Sequence, residues 1–389
     1  MKKRIALFLG MVLTVSALAG CTNKTAEDAA QTGNGAAESG VQAENDAAES
    51  GAQAENGAAE SGAQTEAGTE TVDAGTEATP EGGGLKTGLA IVTSVGSSAD
   101  ATADAEGVAQ TDAMIAAVTV DAEGKIVACV IDCAQTVVNF GTDGTLTTDL
   151  AAEFSTKNEL GTNYGMNKAS SIGKDWNEQA AAFAEYCVGK TADEVNGIAV
   201  TDGKAADEDL AAGCTLYIGG FQEVVTQAVA NAVEMGAQAG DKLGLGVATN
   251  IAKSTDASAD AEGLAQAYTT VSALTVNADG VITSAAIDAV QANVNFDATG
   301  KITTDLTAAV DSKNVLGDSY GMKAASSIGK EWNEQAAAYA QYAIGKTVDE
   351  VNGTAVTEGV PSDADLAASV TVHITDFNTV ITKAVNSAK

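Results

Sequence analysis

From Met114 the chain is β-rich and largely apolar through Val120, meets Asp121-Ala122-Glu123-Gly124, and is β-rich again from Lys125 to Cys133. Two such runs around an Asp-x-x-Gly turn predict an antiparallel hairpin. A third strand is expected over Thr136 to Phe140, running to a turn at Asp143-Gly144. The period then changes. Trp176, Ala180, Phe183, Ala184 and Cys187 fall on one face at helical spacing, which predicts a helix from near Trp176 that Gly189 stops. Thr191 and Glu194 form a capping-box pattern that opens a short second helix. A strand around Thr215 to Ile218 is expected next. A closing helix then places Phe221, Val224, Val225, Ala228, Val229 and Ala232 on one face. Meandering strands with helices against one side make an α+β domain, an antiparallel sheet with helices packed on one side.

The pattern occurs twice. Residue n from Lys86 to Val233 matches residue n+156 from Lys242 to Lys389 without a gap. Tyr164-Gly165-Met166 recurs as Tyr320-Gly321-Met322, and Trp176-Asn177-Glu178-Gln179-Ala180 as Trp332-Asn333-Glu334-Gln335-Ala336. Ser170-Ser171-Ile172-Gly173-Lys174 recurs as Ser326-Ser327-Ile328-Gly329-Lys330, and the hairpin turn becomes Asn277-Ala278-Asp279-Gly280. Two tandem copies of one domain are expected, over 85–235 and 242–389. Each is large enough for its own core, and far longer than a solenoid unit.

The first 84 residues follow neither pattern. Lys2-Lys3-Arg4 precede an apolar run from Ile5 to about Leu18, too short for a membrane span but suited to a cleaved signal peptide over 1–20. Leu18-Ala19-Gly20-Cys21 resembles a bacterial lipobox. The resemblance implies that Cys21 is lipidated and that the protein is exported and anchored to the outer face of the cell membrane. Residues 21–84 hold almost no large apolar side chain and include three near-identical eleven-residue units, Asn34 to Glu44, Asn45 to Glu55 and Asn56 to Glu66. Such a segment buries too little to offset chain entropy, so a disordered acidic linker is expected, extended by its own charge.

The formal charge of −33 argues against nucleic acid as a partner. The single histidine, His373, corresponds to Tyr217 in the first copy, which makes histidine metal sites and Ser-His-Asp triads poor expectations. Cys129, Cys133, Cys187 and Cys214 are replaced by Ala285, Ala289, Ala343 and Val370 in the second copy, as expected of small buried apolar positions. Cys129 and Cys133, four apart on one strand, would lie roughly 13 Å apart, too far for a disulfide. Gly189-Lys190-Thr191 and Gly345-Lys346-Thr347 look like the end of a P-loop, but the first glycine is missing and the triplet follows a helix.

One arrangement carries a chemical suggestion. Asp209-Leu210-Ala211-Ala212-Gly213-Cys214-Thr215 precedes the closing helix of the first copy, and Asp365-Leu366-Ala367-Ala368-Ser369-Val370-Thr371 that of the second. This resembles the FMN-binding domain family of exported electron carriers, whose Asp-x-x-Ser-Gly-Ala-Thr motif precedes a terminal helix. The resemblance implies FMN joined by a phosphoester to Thr215 and Thr371, installed by a flavin transferase, with Asp209, Asp365 and Gly213 completing the motif. The sequence departs from it at Ala212 and Ala368, at Cys214 and Val370, and at Ser369. A rival register at Asp193 and Asp349 places Ala199 or Ala355 in the threonine slot. Tyr164, Tyr320, Trp176 and Trp332 are candidates to stack on the flavin ring, or else core. The expected function is an extracytoplasmic electron carrier, a carrier or binding protein more than an enzyme. The alternative is a non-catalytic, surface-displayed binding module that has lost its cofactor.

Overall fold

The computed structural model describes residues 84–389. Cys21, the leader and the eleven-residue units lie outside the described residues.

Strands β1 (Lys86–Ser94), β2 (Gly107–Val120) and β3 (Ile126–Phe140) form an antiparallel meander. The β2–β3 turn forms as expected, with Asp121 Oδ1 accepting from the backbone N–H groups of Glu123 and Lys125 while Gly124 sits at φ +80°. Two strand expectations need correction. The runs Lys125–Cys133 and Thr136–Phe140 belong to one strand, since Ala134 and Gln135 stay paired with Ala113 and Asp112 and no turn intervenes. Strand β1 escaped the pattern because Gly88 and its small neighbours weaken the β signal. The cause of Gly88 is remote: a Cβ there would lie 2.0 Å from the carbonyl oxygen of Ala228 on the closing helix.

Helix α1 (Lys157–Leu160) is a single turn capped by Thr156. Helix α2 (Trp176–Cys187) buries the expected face and also Gln179, and its C-terminal loop turns at Gly189, φ +82°. Helix α3 (Ala192–Asn196) opens on the expected Thr191–Glu194 capping box. A small hairpin of β4 (Val200–Thr201) and β5 (Lys204–Ala205) leads to α4 (Glu208–Gly213) and α5 (Gly219–Ala230). Thr215 to Ile218 is not a strand. It links α4 to α5, and only Tyr217 makes a bridge, to Lys204, so the β-branched residues there have no sheet to join. The two-residue β6 (Val233–Glu234) adds to the outer edge of β1.

A second meander follows, β7 (Lys242–Asn250), β8 (Gly263–Val276) and β9 (Ile282–Phe296). After it come α6 (Lys313–Leu316), α7 (Trp332–Ala343), α8 (Val348–Asn352), the hairpin β10 (Val356–Thr357) and β11 (Val360–Pro361), α9 (Ala364–Ala367) and α10 (Thr375–Ser387). The described chain is therefore a mixed α and β structure of antiparallel sheets and helices.

Each sheet carries its helices on one face. In the first half Trp176, Phe183 and Phe221 pack there against Val118 and Ile131; in the second, Trp332, Tyr339 and Phe377 pack against Leu274 and Ile287. The opposite faces of the two sheets meet each other. Leu89, Ile91 and Ile115 pack with Leu243, Val247 and Val271, and the rings of Phe140 and Phe296 stack with centroids 4.1 Å apart. Four polar contacts between the halves form two reciprocal pairs. Ala101 N donates to Gly300 O and Ala257 N to Gly144 O, both at 2.8 Å. Ile302 N donates to Asp100 Oδ1 at 2.8 Å and Leu146 N to Asp256 Oδ1 at 2.7 Å. Each of these four contacts has a partner 156 residues away.

Candidate functional site

Asp209 and Asp365 lie exposed in the first turns of α4 and α9. The capping is done by the residues two places earlier: Asp207 Oδ1 accepts from Leu210 N at 3.0 Å, and Asp363 Oδ1 from Leu366 N at 3.1 Å. Gly213 ends α4 against α2, where a Cβ would lie 2.9 Å from that of Ala182.

Thr215 and Thr371 follow at matching, half-exposed places. Thr215 donates both its backbone N–H and its hydroxyl to Gln179 Oε1, at 2.9 and 3.1 Å. Thr371 does the same to Gln335 Oε1, at 2.8 and 3.1 Å. Both glutamines are fully buried, and each amide nitrogen is spent on a third segment. Gln179 donates to Ser170 Oγ and Lys174 O, Gln335 to Ser326 Oγ and Lys330 O. One side chain thus pins the loop before the closing helix to α2 or α7 and to the Ser-Ser-Ile-Gly-Lys loop. The helix start and the Ser-Ser-Ile-Gly-Lys loop are segments that recur identically in the sequence, and the glutamine was the residue that pattern reasoning passed over. Gln335→Leu keeps the volume but strands the N–H and hydroxyl of Thr371. It is expected to cost about 1–3 kcal/mol in a urea denaturation series, and an unchanged midpoint would mean that Gln335 holds nothing in place.

The aromatic residues singled out by sequence enclose lysines. Lys313 Nζ lies 4.5, 4.4 and 4.8 Å from the ring centres of Tyr268, Tyr320 and Trp332, and 2.9 Å from the Tyr268 hydroxyl. Lys157 Nζ lies 5.0 and 5.3 Å from Tyr164 and Trp176, with Asp112 in the place that Tyr268 holds in the second half. The two lysines also differ chemically. Burial pushes the Lys313 ammonium down to about 7 against the pull of Asp288 and Asp376. Burial also lowers Lys157, but Cys133, Tyr164 and Asp112 outweigh it and hold its ammonium above the ordinary value. Trp176 and Trp332 are core as well, set edge-on to Phe221 and Phe377.

Asp132 and Asp288 are both buried. Asp132 Oδ1 accepts from the backbone N–H groups of Cys133 and Asn158, at 2.7 and 3.0 Å. Asp288 Oδ1 accepts from those of Ala289 and Asn314 at the same distances, and its Oδ2 accepts from Ser312 Oγ at 2.6 Å. The aspartates tie α1 and α6 to β3 and β9, and burial pushes each up to about 6. None of the four described cysteines is in a disulfide; Cys133, Cys187 and Cys214 are buried, and burial raises the Cys187 thiol to about 12. Among the described residues, no group of His, Cys, Asp and Glu is arranged to hold a metal, and no helix is long and apolar enough to cross a membrane.

A cleft of about 460 Å³ opens where the halves meet along β1 and β9. On the related side, along β7 and β3, Lys383 Nζ spans the gap to Glu159 Oε1 at 2.8 Å and donates to Val247 O at 2.9 Å.

Comparison of the chain with protein-family models, curated proteins and solved structures gave no match.

Proposed function

We propose that this protein is an extracytoplasmic binding module, lipid-anchored at Cys21 and carried on an acidic tether, that holds no covalent flavin. Its two halves are read as copies of one α+β domain, joined face to face. The duplication is supported by the 156-residue offset shared by the principal strands (Lys86 and Lys242, Gly107 and Gly263, Ile126 and Ile282) and by the reciprocal contacts between halves.

The observation that carries the reading is the hydroxyl of Thr215 and of Thr371, donated in both halves to a buried glutamine. A phosphoester at that oxygen leaves no proton to donate and sets two acceptors against each other. The rings that would stack on a flavin are already in contact with Lys157 and Lys313. The residues present therefore fit a structural latch better than a flavin site. The electron-carrier reading has one point in its favour: both threonines are half-exposed just ahead of a closing helix.

Intact mass and the visible spectrum decide between them, on protein exported from cells that also produce a flavin transferase. The expected result is a colourless protein with no FMN-sized mass addition. One or two such additions, lost in Thr215→Ala and Thr371→Ala, would overturn the proposal and establish a redox carrier.

A further inference from the structure

The two sides on which the halves meet are related by the 156-residue offset and yet differ. Lys383 and Glu159 bridge one side. The corresponding positions on the other side are Gln227 (383 − 156) and Val315 (159 + 156), which cannot form an ion pair, and the cleft lies there. Val315 and Val233, 63% and 54% exposed, are the two most exposed large aliphatic side chains of the described residues, and both line it. Ligand pockets are concave and lined mainly by apolar side chains, which is the setting these two valines share. Leu89 and Ile287 add apolar wall.

The charges restrict the ligand. No lysine, arginine or histidine lines the cleft, and its one ionisable group is Asp288. Within a chain of net charge −33 this disfavours an anion. A cation gains little, because the oxygens of Asp288 already accept from Ala289 N, Asn314 N and Ser312 Oγ. We propose that the cleft binds a small uncharged, largely apolar molecule, its body against Val315, Val233 and Leu89. The inference rests on reading the protein as a binding module, and it gives that module a ligand class and one site rather than two.

The test uses N-phenylnaphthylamine, an uncharged fluorophore with one N–H, and its sulfonated analogue, which has the same rings and an added negative charge. Both are titrated against the full chain bearing Cys21→Ser, so that no acyl chain competes for the probe. One saturable site for the uncharged probe is expected, with the sulfonate weaker by about tenfold or more. The double variant Val315→Glu, Gln227→Lys rebuilds the bridge of the other side and is expected to weaken the uncharged probe by at least about tenfold. Val315→Glu alone, at an exposed position that any polar residue can occupy, is expected to weaken it in the same direction and guards against a folding defect in the double variant. Absence of saturable binding, equal affinity for the sulfonate, or binding unchanged in both variants would overturn the proposal. A flavin mass addition would instead overturn the reading beneath it, so the two failures are told apart.

Discussion

Phe296→Ala is expected to lower the stability of the whole described structure by about 3–5 kcal/mol, in one transition shared by both halves. Phe296 is fully buried, and its ring stacks on that of Phe140 at an interplanar angle of 7°. The cross-strand neighbour of each ring has no side chain to move into the space it would leave. Across the strand pair from each stands a glycine, Gly263 opposite Phe296 and Gly107 opposite Phe140, where a Cβ would lie 2.4 and 2.2 Å from the ring. A poorly relaxing site puts the cost at the high end for a phenylalanine truncation. Phe140→Ala is expected to cost a similar amount, and the pair less than the sum, since the second truncation removes a partner already lost. Each half carries one tryptophan, Trp176 or Trp332, so urea denaturation of Phe296→Ala in Trp176→Phe and Trp332→Phe backgrounds follows the halves separately. Coincident midpoints, both shifted, are expected. A shift confined to the Trp332 signal would mean that the halves fold independently and that the packed sheets are a mere contact.

How far this arrangement can be read from sequence depends on where its causes lie. The β2–β3 turn, the α2 face and the capping box of α3 were legible because each is settled within a few residues. The strands were harder. Each sheet is covered by helices on one face and by the other sheet on the opposite face, so Ile115, Ala116, Ala117 and Val118 are all buried and β2 shows none of the alternation of a one-sided strand. Gly88, Gly244 and Gly246 argue against a strand locally. They are required because a Cβ would meet Ala228 O, Ala384 O and Val380 O at 2.0, 2.0 and 1.9 Å, an approach made by helices that follow more than a hundred residues later. The same distance hid the latch. Thr215 and Thr371 were visible as candidates through a family resemblance, but the meaning of their hydroxyls lies in Gln179 and Gln335, 36 residues upstream on the helix face that reads as core. The cleft was out of reach altogether, because it lies where aligned positions differ, Glu159 with Val315 and Lys383 with Gln227, and these positions come to face one groove only once the halves have packed.

The buried aspartates make the second large prediction, a structure more stable in mild acid than at neutrality. Burial raises Asp132 and Asp288 from 3.8 to about 6; around Asp132, Glu159 adds to the rise, whereas Lys313 opposes it at Asp288. The folded protein therefore holds protons between those values that the unfolded chain has released. The stability they contribute is fully present below about 3.8 and is lost as pH rises through about 6, by about 2–3 kcal/mol for each carboxyl. Asparagine can replace each group in place. In Asp288→Asn the side-chain oxygen still accepts from Ala289 N and Asn314 N, and the new amide can donate to Ser312 Oγ, which the carboxylate could only accept from. Asp288→Asn is thus expected to leave stability in acid nearly unchanged, to raise it at neutral pH by up to about 2–3 kcal/mol, and to flatten the pH dependence between. Asp132→Asn should act alike and nearly additively, since the two carboxyls serve different helices and share no hydrogen-bond partner. Chemical denaturation across the window measures all three quantities. If Asp288→Asn instead destabilises the protein at neutral pH, the carboxylate is ionised in the fold and its three donors outweigh its burial, and the acid-stable profile goes with it.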